Sequence, residues 1–193
     1  MTDATLALTR SVGGLEAPLP GTYVLDAAHT HAGFAARHLM VSKVRGGFAA
    51  VAGTITVAED PAESTVDVTI QAASIDTRDE QRDAHLRSPD FLDVEKYPTL
   101  TFRSTSIKPL GGDRWSVEGT LTVRDVPKPV KLDVTFEGAS GDPWGNTRIG
   151  LSAKGELNRE DFGLTWNVSL ETGGVLVGKK VQLEIEAEGI RQG

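Results

Sequence analysis

Three of the chain's four histidines fall within residues 23–48, and histidine is the residue type best suited to bind a metal or move a proton near neutral pH. His29 and His31 are two residues apart. On a β-strand such side chains point to the same side, so both imidazoles can meet one Zn²⁺ or Cu²⁺ ion. The candidates for a third ligand are His38 and His85, but His38 lies an odd number of residues from His31 and faces the other side of an unbroken strand. We therefore predict strand-entry histidines and no metal site.

A polar pair, Arg37 and His38, lies between the apolar residues Phe34 and Met40. Binding pockets for lipophilic molecules are mostly apolar with a few polar groups that hold a head group. The pair is a candidate for that role. The alternative is that Arg37 lies on the solvent face and His38 is a hydrogen-bonded buried histidine, and the sequence leaves both interpretations open.

A second charged cluster follows Asn158, where Glu160 and Asp161 adjoin Arg159. Neighbouring carboxylates beside an arginine in a turn are typical of a solvated ion pair, so we predict no acid–base chemistry there. The sequence contains no nucleophile elbow, phosphate-binding loop or His-Glu-x-x-His motif. Cysteine is absent, which excludes disulfides, thiolate metal sites and a cysteine nucleophile.

Length and charge narrow the class of protein further. A chain of 193 residues suits one domain with a single core or cavity. The formal net charge of −7 opposes binding to phosphate backbones, so nucleic acid is excluded as a partner. No stretch reaches the roughly 20 apolar residues of a membrane span, and stable membrane insertion is not expected. Residues 1–20 lack a signal-like apolar run, so we predict a loosely ordered, flexible extension and a cytoplasmic protein.

Apolar and polar residues alternate along much of the chain, which is the pattern of half-buried β-strands. With two β-branched segments at 47–57 and 99–107 and the opening stretch, eight strands are predicted, and so many strands must close or stack to hide their edges. Turn chemistry is expected at 59–61, 111–113, 126–129 and 141–143. The alternating apolar positions are Val66, Val68, Ile70 and Ala72; Trp115, Val117, Leu121 and Val123; Val130, Leu132, Val134 and Phe136; Ile149, Leu151, Ala153 and Leu157; and Val181, Leu183, Ile185 and Ala187.

Residues 78–92 interrupt this rhythm because they contain helix formers and no β-branched residue. Ser88 is placed to cap a turn that begins at Pro89. The segment is predicted as a short helix or pair of turns that crosses one mouth of a barrel with Leu86, Phe91 and Leu92 inward. It would act as a plug or lid.

Small residues on the early strands favour a cavity, because an eight-stranded barrel is just wide enough to be filled or to hold one small ligand. These are Ala35, Ala36, Ala49, Ala50, Ala52 and Gly53. The aromatic residues, in contrast, are spread along the chain as in a filled core.

Four motifs in order resemble the YceI-like family, also described as polyisoprenoid-binding proteins. They are GTYVLDAAHTHAGFAARHLMVSKVRGGF, RDAHLRSPDFLDVEKYPTLTFRS, VEGTLTVRDVPKPVKLDV and NREDFGLTWNVSLETGGVLVGKKVQLEIEAEG. The resemblance covers about residues 21–190. It implies an all-β fold, an extended eight-stranded antiparallel lipocalin-like barrel over 21–193, whose cavity holds a polyprenyl chain, a quinone tail or a fatty chain.

From the residues and the resemblance together we expect a non-enzymatic carrier or store of a small lipophilic molecule, with no other cofactor. Two alternatives stay open: a barrel isomerase or hydrolase that uses His38 and Arg37, and a filled barrel that serves as an interaction module. A homodimer is also left open. The residues expected to contact the ligand are Phe34, Arg37, His38, Met40, Phe48, Leu86, Phe91, Phe102, Trp115, Arg159, Asp161, Phe162 and Trp166.

Overall fold

The structure, a computed structural model, describes residues 7–193. The first six residues of the expected extension lie outside the described residues. Within 7–193 the chain forms antiparallel strands and one α-helix. Their bounds are β1 Thr9–Val12, β2 Leu15–Pro18, β3 Gly21–Leu25, β4 His31–His38, β5 Ser42–Phe48, β6 Val51–Val57, β7 Thr65–Gln71, β8 Ile75–Asp76, α1 Glu80–Arg87, β9 Thr99–Gly111, β10 Arg114–Val123, β11 Val126–Gly141, β12 Thr147–Asn158 and β13 Val177–Arg191.

Eight strands close into an antiparallel barrel, in the order β12, β11, β10, β9, β7, β6, β3 and β13, with β13 pairing back onto β12. The closing strand β13 pairs with β12 over eleven residue pairs. Its other edge is shared, because Gly189 pairs with Leu25 of β3 and Leu183 pairs with Phe34 of β4. The predicted eight-stranded antiparallel barrel is confirmed, and closure leaves its ring without an open edge.

The N-terminal strands bend midway, which lengthens the barrel. Asp26 ends β3, and its carboxylate accepts a hydrogen bond from the Ala28 N–H at 3.0 Å to cap a 3₁₀ turn at Ala27–His29 before β4 begins. The later pairs β5–β6 and β7–β8 break in the same way. The prediction of one strand over 47–57 is therefore wrong at its start, because Ala49 and Ala50 lie at a bend between two strands. On the other side of these breaks, β4 pairs with β13 and with β5, and β5 pairs with β8. These strands form a second set of paired strands that continues the barrel.

Residues 9–18 form the hairpin β1–β2, so the prediction of a loosely ordered extension is wrong for this part of it. The hairpin covers one end of the barrel, where Ala17 is 1% exposed. The Arg10 guanidinium donates to the Ala58 carbonyl oxygen at 2.5 Å, and the Glu16 N–H donates to the Gly112 oxygen at 3.3 Å. These contacts tie the hairpin to two turns at that end, and they could not be seen from its local sequence.

The opposite end carries the predicted lid, residues 78–98. The helix α1 is shorter than the 78–92 segment, and Asp79 caps it by accepting from the Arg82 N–H at 3.0 Å. Ser88 ends α1, and its hydroxyl accepts from the Asp90 N–H at 3.3 Å, which caps the following turn as predicted. Within residues 7–193, no helix is long and apolar enough to cross a lipid bilayer.

One predicted turn is misplaced. Residues 126–129 begin β11, and the reversal occurs one step earlier at Arg124 and Asp125, whose φ angles are +52° and +58°. Pro127 and Pro129 lie in the strand itself. β11 has no β12 partner before Leu132, so the missing N–H groups fall where that edge is unpaired.

Candidate ligand-binding cavity

The barrel encloses a cavity of about 390 Å³. Its wall is built by the alternating residues, since every second side chain of a strand points inward. Val66, Val68 and Ile70 of β7 line it, as do Leu183 and Ile185 of β13. Apart from Ala72 and Ile149, the predicted alternating apolar residues line the cavity, and the alternative of a filled barrel is wrong.

The wall is almost entirely apolar. Among the described residues that line it, only Thr30, Ser64, Ser152 and Arg159 carry a polar side chain. The Ser64 hydroxyl accepts from the Ala58 N–H at 3.0 Å, whereas the buried Thr30 hydroxyl has no hydrogen-bond partner in residues 7–193. A cavity lined in this way is poorly suited to water, which needs two to four polar partners, and well suited to a hydrocarbon chain.

Arg159 is the one ionisable side chain among the described residues of the wall, and it is 5% exposed. It begins a 3₁₀ turn that follows β12, which is capped by the Asn158 side chain accepting from the Glu160 N–H at 3.1 Å. Burial lowers the pKa of the guanidinium, and the neighbouring Glu160 partly opposes that effect. A buried cation is costly unless its donors are satisfied.

The guanidinium satisfies its donors with backbone oxygens and not with a carboxylate. Nη1 donates to the oxygens of Leu164 at 2.5 Å and Trp166 at 3.0 Å. Nε donates to Gly178 at 3.0 Å and Nη2 to Val177 at 3.3 Å. Four of its five N–H groups are used, and together they tie the connection between β12 and β13 to the barrel rim.

Aromatic side chains close the lid end of the cavity. Phe34 and Phe48 meet with ring centroids 5.8 Å apart. The lid residue Phe91 packs on Trp166 at 5.4 Å, and His85 meets the same indole edge-on at 4.5 Å. Trp166 does not itself line the cavity, and its contacts with His85 and Phe91 join the lid to the connection between β12 and β13.

Eight of the predicted contact residues line the cavity and five do not. Those that line it are Phe34, Phe48, Leu86, Phe91, Phe102, Trp115, Arg159 and Phe162, and those outside it are Arg37, His38, Met40, Asp161 and Trp166.

The polar pair Arg37–His38 is not brought to the cavity. Consecutive residues of β4 face opposite sides, so Arg37 is exposed and donates to the Met40 oxygen at 3.4 Å. His38 ends the strand, half-buried, beyond the lining residue Ala36. Met40 is 51% exposed because it lies in the hairpin turn after β4. The expected polar anchor is wrong. Strand alternation turns Arg37 to solvent, whereas His38 shares the face of Phe34 and Ala36 but lies beyond the last lining residue of β4.

His29 and His31 do not share one face of a strand, since His29 belongs to the 3₁₀ turn and only His31 starts β4. His29 instead joins Asp26 and Glu188, whose ligand atoms lie within 4.8 Å of one another. The Arg148 guanidinium already occupies this group, with Nη1 at 2.6 Å from Asp26 and 3.1 Å from Glu188. The cluster is thus an ion-pair network that ties strands together.

The small residues contribute less than predicted. Ala36 lines the cavity, whereas Ala49, Ala50 and Ala52 are exposed. Most of the wall comes from branched aliphatic residues that alternation marks as inward but that carry no chemical motif. The unpartnered Thr30 hydroxyl gave no sequence signal, because it depends on the bend between β3 and β4.

A closed antiparallel barrel around an apolar cavity defines a class of proteins that enclose a hydrophobic molecule. The model of the YceI-like domain matches residues 23–189, and the chain belongs to this family. Protein YceI of Escherichia coli O157:H7 is 40% identical over 168 residues, which is 86% of this chain and 84% of that protein.

Solved structures share the fold. The YCEI protein of Campylobacter jejuni is 32% identical with a TM-score of 0.69, covering 81% of this chain and 90% of that chain. A polyisoprenoid binding domain from Saccharophagus degradans, implicated in plant cell wall breakdown, is 14% identical with a TM-score of 0.68, covering 90% of this chain and 100% of that chain. At that identity the likeness is one of fold.

Proposed function

We propose that this chain binds a linear lipophilic molecule of isoprenoid type, such as a polyprenyl chain, a quinone tail or a fatty chain, and carries, stores or sequesters it. The observation that carries this proposal is the apolar cavity with a single ionisable group in its described wall. The Saccharophagus degradans domain, described as polyisoprenoid binding, supports it by likeness of fold.

The energetics favour a long chain. Each buried CH₂ contributes about 0.8 kcal/mol, so ~20 carbons would gain up to ~16 kcal/mol before the cost of ordering the ligand. A head group would meet the Thr30 hydroxyl or the remaining Nη2 N–H of Arg159, which have no acceptor or partner within residues 7–193. Such a ligand should remain bound during purification.

Native mass spectrometry of the purified protein, followed by organic extraction, tests the proposal. We expect an adduct whose extracted mass is that of a prenyl or acyl compound. A protein that carries no such adduct and takes up neither a fluorescent prenyl nor an acyl probe would contradict it.

Phe102→Asp should abolish probe uptake, because Phe102 is 8% exposed and lines the cavity, and a carboxylate there is buried without a partner. Thr105→Asp is the matched control, since Thr105 is exposed on the same strand. Uptake that is equal in both variants would mean that the ligand binds elsewhere.

No observation favours the enzymatic alternative. Arg37 and His38 face opposite sides of β4, and neither lines the cavity. Under the carrier hypothesis, His38→Ala leaves probe affinity unchanged.

A further inference from the structure

The hairpin between β4 and β5 ends in an exposed apolar tip, Leu39, Met40 and Val41. Their exposed fractions are 41%, 51% and 82%. The neighbouring connection adds Val168 at 46%. Contiguous exposed apolar residues of this kind mark interaction sites more often than scattered single ones.

The turn does not require these residues. Leu39 and Met40 have φ angles of +51° and +62°, a left-handed conformation that favours Asn, Asp and Gly and is costly for other side chains. An Asn-Gly turn would be easier to form and would be hydrophilic. Strain together with exposed apolar surface therefore points to a role for the tip outside the fold.

The strands that carry the tip are basic. Residues 27–58 contain no Asp or Glu, although the whole chain has a net charge of −7. Arg37 and Lys43 are directly paired across the two strands, and Ala35 is paired with Arg45. All three cations are exposed, and no carboxylate of residues 7–193 forms a salt bridge with them. Like charges placed opposite each other repel, which an anionic partner would relieve.

The tip lies at the lid end of the barrel. The Leu39 N–H donates to the Leu176 oxygen at 2.9 Å, and the Leu176 N–H donates to the Val168 oxygen at 2.9 Å. The same connection carries Trp166, which packs on Phe91 of the lid at 5.4 Å. The exposed apolar surface is thus attached to the connection that packs on the lid.

The opposite end offers a contrast. Trp144 is 79% exposed there, but its turn is built around the carboxylate of Asp142, which accepts from the Trp144 N–H at 3.0 Å. The acidic cluster of Asp26, Asp142 and Glu188 lies beside it, joined through Arg148. In contrast to the tip, Trp144 lies on a turn that is built on a carboxylate.

We propose that the apolar tip and its three cations dock the barrel on an anionic lipid bilayer, with Met40 and Val41 entering the headgroup region and the lid facing the membrane. The contact is peripheral, since apolar side chains combined with nearby cations bind reversibly at such an interface. This inference rests on the proposed function for its purpose, the exchange of a lipophilic ligand with the bilayer, but its binding assay does not.

Flotation of the purified full chain with vesicles tests the inference. We expect binding to vesicles of phosphatidylcholine and phosphatidylglycerol that weakens with added salt, and much weaker binding to phosphatidylcholine alone. Met40→Asn with Val41→Ser should lower partitioning at least about tenfold. Arg45→Gln should lower it about fivefold on the anionic vesicles and leave the neutral ones unchanged.

Matched controls separate docking from folding and from ligand binding. Trp144→Ser and Lys108→Gln, at the opposite end, should bind vesicles as the native chain does. The tip variant should melt no lower than the native chain, because Asn tolerates the left-handed turn better than Met, and it should still take up the prenyl probe.

Several results would overturn the inference: no binding of the native chain to anionic vesicles, equal binding by the tip variant, or loss of binding in Trp144→Ser. A concentration-dependent dimer that the tip variant abolishes would instead assign the tip to a second copy of the chain. If the chain binds vesicles but takes up no probe, the result would contradict the proposed function and would still support docking on the membrane.

Discussion

Arg159 lines the cavity wall and also holds the connection between β12 and β13 in place. Its guanidinium lies in an apolar cavity, yet its hydrogen bonds go to backbone oxygens of residues 164–178. The flanking Glu160 pairs with Lys179 at 3.0 Å. The arginine of the 158–163 cluster therefore does not form the solvated ion pair that its sequence suggested, whereas the carboxylate beside it does form one.

Arg159→Ala should lower the free energy of unfolding by about 3 kcal/mol or more, because it leaves several carbonyl groups without partners. Chemical denaturation measures this. Lys154→Ala, at an exposed position on β12, is the control and should change stability by less than about 0.5 kcal/mol. A loss below about 1 kcal/mol in Arg159→Ala would mean that the connection is held by other contacts.

Gly119 is a second residue whose identity the fold requires. A Cβ added there would lie 2.6 Å from the Arg103 backbone oxygen and against the Phe102 ring. Gly119→Ala should therefore destabilise the barrel by about 1–3 kcal/mol. At Gly150 the added Cβ would meet Glu137 at an ordinary 3.4 Å, so Gly150→Ala should be close to neutral in the same thermal melts. Equal melting of both variants would show that the ring moves freely.

At the scale of elements, the lid is held by arginine side chains that donate to backbone oxygens. Arg87 donates to Ala73 at 2.9 Å and to Ile75 at 2.8 Å, and Arg124 donates to Phe91 at 3.0 Å. These bonds add to the burial of Phe91 and Leu92, which are 6% and 7% exposed. Their loss should affect opening more than folding.

Arg87→Ala should raise the dissociation rate of a bound prenyl probe about tenfold, because two charge-assisted hydrogen bonds that hold the lid are removed. Stopped-flow transfer of the probe to acceptor vesicles measures the rate. Gln81→Ala, exposed on the same helix, should leave it unchanged. An unchanged rate in Arg87→Ala would indicate that the ligand leaves by another route.

The Arg148 network predicts how stability depends on pH. A hydrogen bond from Arg148, followed by one from His29, lowers the pKa of Asp26 from its ordinary 3.8 to about 2. The Asn146 amide and, to a smaller extent, Arg148 lower the pKa of Asp142 as well. A lowered carboxyl pKa adds stability above the unfolded value, and this stability is lost as pH falls through the folded value.

Melting temperature should therefore fall between about pH 4 and pH 2, and Arg148→Gln should flatten this fall because the largest cause of the lowered Asp26 pKa is removed, although His29 still lowers it. Arg103→Gln is the control, since it removes an exposed ion pair with Asp67. The same acid profile in the native chain and Arg148→Gln would show that other carboxylates control the transition.

For the molecule as a whole, the cavity makes stability depend on its contents. A ligand that binds only the folded barrel stabilises it by about 2.7 kcal/mol at 100 times its dissociation constant. Extraction of the ligand should lower the melting temperature, and return of the extract should restore it. A melting temperature that does not respond to either step would mean that the cavity is empty in the working protein.

Much of this architecture follows from sequence alone, because alternation is local. The alternating residues of β10 to β13 show the inward face of each strand, and Trp115 lines the cavity as that pattern predicted, whereas Phe162, in the 3₁₀ turn after β12, was expected from the family resemblance. The turn at Pro127 was misplaced because proline is tolerated where a strand edge is unpaired, and pairing is not a local property. The cytoplasmic location and the homodimer stay predictions.

For residues 23–48, which contain three of the four histidines, local sequence did not show which way each side chain faces. The sequence predicted that they form a strand-like run and that no metal motif in them is complete. Only the tertiary structure decided that the run breaks at Asp26, that Arg37 faces solvent and that Met40 sits on an exposed turn. The reason is physical: the face of each residue depends on where a strand bends and which strand pairs with it, and closure of the barrel sets both.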